Sequence, residues 1–181
     1  MKIIHFVIFV FLFAAAAGCL YRKAGVNKLN GWNGIEAFAN KKIGIGHFNV
    51  NARSSEIKKM ILYDSLYFNL QKSGFDPVEH LEMKKLYEKM SLPPDRILVE
   101  YELFKLSEQF GGEYILQGSF YETGNEDILN EKYTLSLNCY LSDALTGKKA
   151  ASFKIVRANL KNVSDSEIFS MTRKLARMLE K

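Results

Sequence analysis

The chain has 181 residues, 48% of them apolar, and a formal net charge of +5. That length fits one ordinary domain with a leader and supplies a real core, and it leaves two independent domains cramped. The basic excess is mild, and without a zinc-finger spacing, an RNP-like strand or an arginine-rich run it disfavours nucleic acid as a partner.

The N-terminus reads as an export signal. Met1-Lys2 is a minimal positive region, Ile3 to Phe13 is an apolar run broken only by His5, and Ala14 to Gly18 are small. These are the three parts of a secretory leader, assigned to residues 1–18. The ending Ala16-Ala17-Gly18-Cys19 resembles a lipobox, which makes Cys19 the expected lipidation site and first residue of the mature chain. Stable anchoring takes more than one acyl chain, a requirement that a di- or triacylated cysteine meets. Two alternatives stand beside this reading. Cleavage after Ala-Ala-Ala would release a soluble secreted protein, and a retained Ile3 to Leu20 segment is near the minimum length of a membrane span. Leu20-Tyr21 lacks an aspartate after the cysteine, which resembles enterobacterial sorting to the outer membrane. With Cys19 consumed by lipid, Cys139 has no intramolecular partner, so a disulfide framework is excluded.

Residues 19–41, with three glycines, four asparagines and little periodicity, read as a tether on which Trp32, Ile35 and Phe38 are available for packing. Ile43, Ile45, Phe48 and Val50 then predict a strand buried on both faces. Ser54 or Ser55 is positioned to cap a helix running to about Lys72, which Ser73-Gly74 stops. Phe75 to Val78 reads as a short strand. Met83, Leu86, Tyr87 and Met90 repeat at helical spacing until Pro93-Pro94, and Val99, Leu103, Leu106 and Phe110 form the stripe of a third helix ended by Gly111-Gly112.

Three strands follow, Glu113 to Glu122, Lys132 to Ser142 and Lys148 to Arg157, and they read as an antiparallel meander. In the middle one Tyr133, Leu135, Leu137, Cys139 and Leu141 alternate with Thr134, Ser136, Asn138, Tyr140 and Ser142, so one face is buried. Ser164 and Glu167 predict a capping box for a last helix with an apolar side at Ile168, Met171, Leu175, Met178 and Leu179. Arg173, Lys174, Arg177 and Lys181 lie elsewhere on it. The expected fold is a single α/β domain over residues 42–181, a mixed sheet with packed helices in the order β-α-β-α-α-β-β-β-α.

That order, together with Lys42-Ile43-Gly44-Ile45, Gly111-Gly112-Glu113-Tyr114-Ile115-Leu116-Gln117-Gly118-Ser119 and Asp143-Ala144-Leu145-Thr146-Gly147-Lys148, resembles a superfamily of envelope lipoproteins. It is the one containing the penicillin-binding-protein activator LpoB and the curli secretion protein CsgG. The resemblance implies an α/β domain that binds an envelope protein. The chain departs from the curli channel because no gap between elements holds two added membrane hairpins of about 9 to 11 residues per strand. It departs from the activator in lacking a long proline-rich tether. The motifs also have local readings: Asp143 and Thr146 accept hydrogen bonds within a turn, Gly147 takes positive φ, and Gly118 admits a close neighbour.

Catalytic signatures are sparse. His47 and His80 lack metal-ligand spacing, which disfavours a zinc site, and His80 between Glu79 and Glu82 reads as a solvated helix start. Cys139 lies on the apolar face of its strand and reads as core. No nucleophile elbow, phosphate loop or dinucleotide fingerprint is present. Glu100 with Glu102, and Glu126 with Asp127, read as solvated pairs.

The expectation is a non-enzymatic, lipid-anchored outer-membrane accessory protein without metal or cofactor. Its partner would be a protein of cell-wall synthesis, secretion or outer-membrane assembly. The alternatives are a surface lipoprotein contacting host or environmental macromolecules, and an envelope hydrolase whose acids converge only in three dimensions. The candidate partner-binding residues are Gln117, Tyr121, Asn138 and Tyr140, taken as the exposed side of the meander.

Overall fold

The computed structural model describes residues 27–28, 41–125 and 132–180. The leader, Cys19, the aromatic positions Trp32 and Phe38, Ile35, and the Glu126-Asp127 pair lie outside the described residues. A two-residue strand β1 (Asn27–Lys28) falls inside the stretch read as a tether. After it come β2 (Lys42–Asn51), α1 (Ser55–Lys72), β3 (Asp76–Val78), α2 (His80–Lys89), α3 (Glu100–Phe110), β4 (Tyr114–Asn125), β5 (Lys132–Asp143), β6 (Lys149–Leu160) and α4 (Asp165–Leu179). From β2 onward this is the expected order.

The strands form one mixed sheet in the order β1-β6-β5-β4-β2-β3. β2 runs parallel to β3 and β4, while β4, β5 and β6 form the antiparallel meander and β1 pairs antiparallel with β6. Parallel neighbours need a long crossover, and α1, β3, α2 and α3 supply it between β2 and β4. β2 therefore lies inside the sheet, and Ile43 through Phe48 are all buried, as its unbroken apolar run requires.

Alternation along the strands divides the interior in two. Leu116, Phe120, Leu135, Leu137, Cys139 and Leu141 face α1 and α4, where Leu62, Leu66, Leu70, Ile168, Met171 and Leu175 meet them. Buried Asn69 of α1 ties the two helices together, its amide donating to the Ser65 carbonyl at 2.8 Å and to Thr172 Oγ1 at 2.9 Å. Across the sheet Ile115 packs with Met83 and Tyr87 of α2 and Leu103, Leu106 and Phe110 of α3. A Cβ added at Gly118 would stand 2.0 Å from the Asn138 carbonyl oxygen, which is the close approach expected of that glycine.

The turn after β5 is built as its sequence predicts. Asp143 Oδ1 accepts from the Thr146 backbone N–H at 2.8 Å and from its hydroxyl at 3.1 Å, and Gly147 takes φ of 70°. The predicted capping box of α4 does not form. Ser164 makes no side-chain cap, and Glu167 instead meets Arg157 Nε at 2.9 Å. Its buried Oε2 makes no aligned hydrogen bond, so this contact is an ion pair. Ser54, the other expected cap, sits in the left-handed region and also makes none. A Glu side chain does close the start of α3, where Glu102 accepts from the Val99 N–H at 3.0 Å and pairs with Arg96 at 2.6 Å.

Candidate functional site

Element lengths leave half of one sheet face open. The three meander strands have 12 residues each, roughly 40 Å of extended chain. On one face α1 with 18 residues and α4 with 15 run for about 27 and 23 Å. On the other, α2 with 10 residues and α3 with 11 run for only about 15 to 17 Å. They cover the end around Ile115 and leave the rest of that face without a helix.

The uncovered half is polar and aromatic. Asn49, Ser119, Asn138 and Lys154 lie in one row across β2, β4, β5 and β6. Tyr121 and Asn51 stand beyond this row, opposite each other. Tyr140 lies on its other side, between Gln117 and Ser152. Tyr121 is 41% exposed, and Asn138 and Tyr140 are half-buried. Lys149 Nζ sits 4.1 Å from the Tyr140 ring centroid, a cation–π contact that orients both side chains. Among the described residues, the strands place lysines but no carboxylate on this half.

The four expected partner residues thus share one face, but Gln117 is not exposed. It is 3% accessible, its Oε1 accepting from Leu98 N–H at 3.0 Å and its Nε2 donating to the Leu98 carbonyl at 2.8 Å. The strand phase is as expected. The correction comes from the segment between α2 and α3, which folds over that end of the sheet and satisfies its Leu98 backbone on the glutamine amide. Gln117 is therefore a clamp marking where the covered half ends.

A second concave region lies at the opposite edge of the sheet, between α1 and the start of α2. This groove of about 580 Å³ is lined by Glu56, Lys59, Met60, Tyr63, Asp64, Tyr67, Glu79, His80, Leu81 and Lys84. Its signal in the sequence is the surplus of apolar residues on exposed helix positions, Met60 at 59% and Leu81 at 65% exposure. His80 is not the solvated residue expected at a helix start. Its ring stacks on Tyr63 with centroids 3.8 Å apart and planes 5° from parallel, and its Nδ1 is buried without a hydrogen-bond partner. Burial pushes its pKa down to about 4, with His47 and Lys59 adding repulsion. The neutral ring is thus the folded form. Tyr63 accepts from the Phe48 N–H at 2.9 Å, and burial raises its phenol to about 12.

His47 and Cys139 are internal. His47 Nε2 lies 3.0 Å from Asn49 Oδ1 beside the register shift of β2, and burial lowers its pKa. Cys139 is fully buried on the α1–α4 side, and desolvation pushes its thiol well up, so it is an inert core residue as expected. The groove carboxylates Glu56 and Asp64 lie on exposed positions of α1, and exposed Glu79 occupies the N-cap position of α2. Among the described residues, no three or more His, Cys, Asp or Glu side chains gather into a metal-holding group.

No protein-family model matches the sequence, and no curated protein matches it. Solved structures do share its architecture. The PelC dodecamer of Paraburkholderia phytofirmans aligns at a TM-score of 0.54 and 14% identity over 87% of this chain and 98% of its own. Lipoprotein GNA1162 of Neisseria meningitidis aligns at 0.52 and 13% identity over 77% and 97%. The likeness is one of fold. The C-terminal domain of LpoB from Escherichia coli aligns at a TM-score of 0.42 and 17% identity over 70% of this chain and 87% of its own.

Proposed function

We propose that the protein is a lipid-anchored, non-enzymatic component of the cell envelope that binds a protein partner across the open half of its sheet. The observation that carries this reading is the face bearing Tyr121, Asn138 and Tyr140, where 12-residue strands outrun the helices available to cover them. Tyrosine on a sheet face offers a large rigid contact surface, and interface energy concentrates in few such residues. The leader ending in Ala-Ala-Gly-Cys19 supports anchoring, and the shared fold of lipoprotein GNA1162 accords with it. The lack of an aspartate after Cys19 resembles the enterobacterial pattern for outer-membrane sorting and supports attachment there.

The test is photo-crosslinking in cells from Tyr121 and from Leu145, an exposed residue of the β5–β6 turn. A discrete protein adduct from Tyr121 alone is expected. Equal adducts from both sites would remove the sheet face as the site. Cys19→Ser should yield an unprocessed or mislocalised chain, and unchanged mass and membrane partitioning would end the anchoring claim.

A second reading, that the partner is another copy of the chain, is favoured by the PelC assembly, whose subunit this chain matches over 98% of its length. Native mass spectrometry of the detergent-solubilised protein separates the two.

A further inference from the structure

We infer that the β6–α4 side of the domain is its membrane-facing surface and takes the anionic head groups of the bilayer that holds the lipid anchor. The inference rests on the acylation of Cys19 proposed above, and two further observations carry it.

The first is where the chain enters the fold. Asn27 and Lys28 pair with Lys154 and Phe153 on the outer edge of β6. About eight residue steps separate Cys19 from Asn27, roughly 28 Å when fully extended. The sheet measures roughly 24 Å from β1 to β3 at its strand spacing. The chain's limit is only slightly more than that width, so the far edge could face the bilayer only with the chain almost straight. A lipid on Cys19 therefore holds the β6 edge closest to the bilayer and turns the α1–α2 groove away from it.

The second is charge. Lys149 and Lys154 project from the open face of β6, Lys161 follows its end, and Lys174 and Arg177 belong to α4 on the other face. These cations flank the β6 edge from both sides of the sheet, while Asp165 and Glu180 are exposed at the two ends of α4. Lys174 lines the gap between helix and strand together with Arg157 and Ser170. The nearby carboxylate of Glu167 is already paired with Arg157. The groove at the opposite edge mixes Glu56, Asp64 and Glu79 with Lys59 and Lys84. A net excess of cations within a Debye length of a surface is drawn to anionic lipid, and a groove whose carboxylates outnumber its lysines is not. Lys174 and Arg177, which lie off the open sheet half, thus acquire an orienting role, and that half, flanked by the same strand, lies beside the membrane and within reach of an envelope partner.

The test uses the full chain, processed in cells, purified and reconstituted into vesicles. An environment-sensitive maleimide dye is placed on Ala158→Cys at the β6 edge or on Glu56→Cys at the groove, and buried Cys139 stays unlabelled. Vesicles of equal phosphatidylethanolamine and phosphatidylglycerol, or of phosphatidylcholine alone, carry a head-group spin-label quencher. With phosphatidylglycerol, quenching at position 158 should exceed that at 56 by about threefold or more. In phosphatidylcholine, at about 1 M salt, and in a variant with the five cations changed to Gln, the excess should fall to the smaller value that the tether alone sets. Equal quenching at the two positions, or an excess indifferent to lipid charge and salt, overturns the inference. The mass of the purified chain reports acylation separately. If Cys19 carries no lipid, the anchoring reading fails, and co-sedimentation of the same chain decides the basic side. Selective binding to phosphatidylglycerol vesicles that the Gln variant loses upholds it, and no such binding ends it.

Discussion

The two faces of the sheet carry the same alternating strands and meet different fates. Phe120 and Tyr121 are neighbours on β4; the first is fully buried beneath α1 and α4, while the second is 41% exposed. The difference lies in helix length: 18 and 15 residues close one face, and 10 and 11 close only part of the other. One face is thus closed by helices along its length, and half of the other is left open. A polar side chain on the second face can still be internal, as Gln117 is, wherever a loop reaches it.

Breaking the closed face should cost most. Phe120→Ala removes a fully buried ring between sheet and helices and should destabilise the domain by about 3 to 5 kcal/mol in urea denaturation. A loss below about 1 kcal/mol would mean that the α1–α4 layer does not bear on β4 as described. At the boundary, Gln117→Ala strands the N–H and C=O of buried Leu98, an expected loss of about 1 to 3 kcal/mol. Amide exchange should speed up around Leu98 while β5 stays protected, and unchanged exchange there would remove the clamp.

Acid should act on the edge where α1 meets α2. The folded pKa of His80 is held near 4, below its ordinary value of 6.5, so the unfolded chain takes up a proton first as pH falls. Its contribution is complete above about pH 6.5 and is lost progressively as pH falls toward 4. His47, shifted in the same direction, adds to the slope. His80→Phe keeps the stack on Tyr63 and removes the titration, so stability measured across this window should fall less steeply than in the parent. An unchanged slope would take His80 out of the account. The smallest expected effect on folding is at the open half, where Tyr121→Ala should alter stability by no more than about 0.5 kcal/mol. The same change should weaken partner crosslinking, and a large stability loss would show that Tyr121 belongs to the core.

Cys139 and Tyr140 were legible from alternation alone, since a strand with one apolar side has only one way to face a core. The same logic located Asn138 and Tyr121, and turn chemistry located Asp143, Thr146 and Gly147. Element order and type were likewise readable, because each segment's apolar period is a local property. His80, Gln117 and the groove were not legible. Each depends on which distant segment arrives: Tyr63 from α1 over the start of α2, Leu98 over β4, and two helices meeting across the edge of β2. Glu167 shows the same limit, its capping pattern losing to Arg157 from a neighbouring strand. Periodicity and turn residues determined the elements and the facing of each strand. Only the tertiary structure decided how far the helices reach over the sheet, and so which polar residues remain available to a partner.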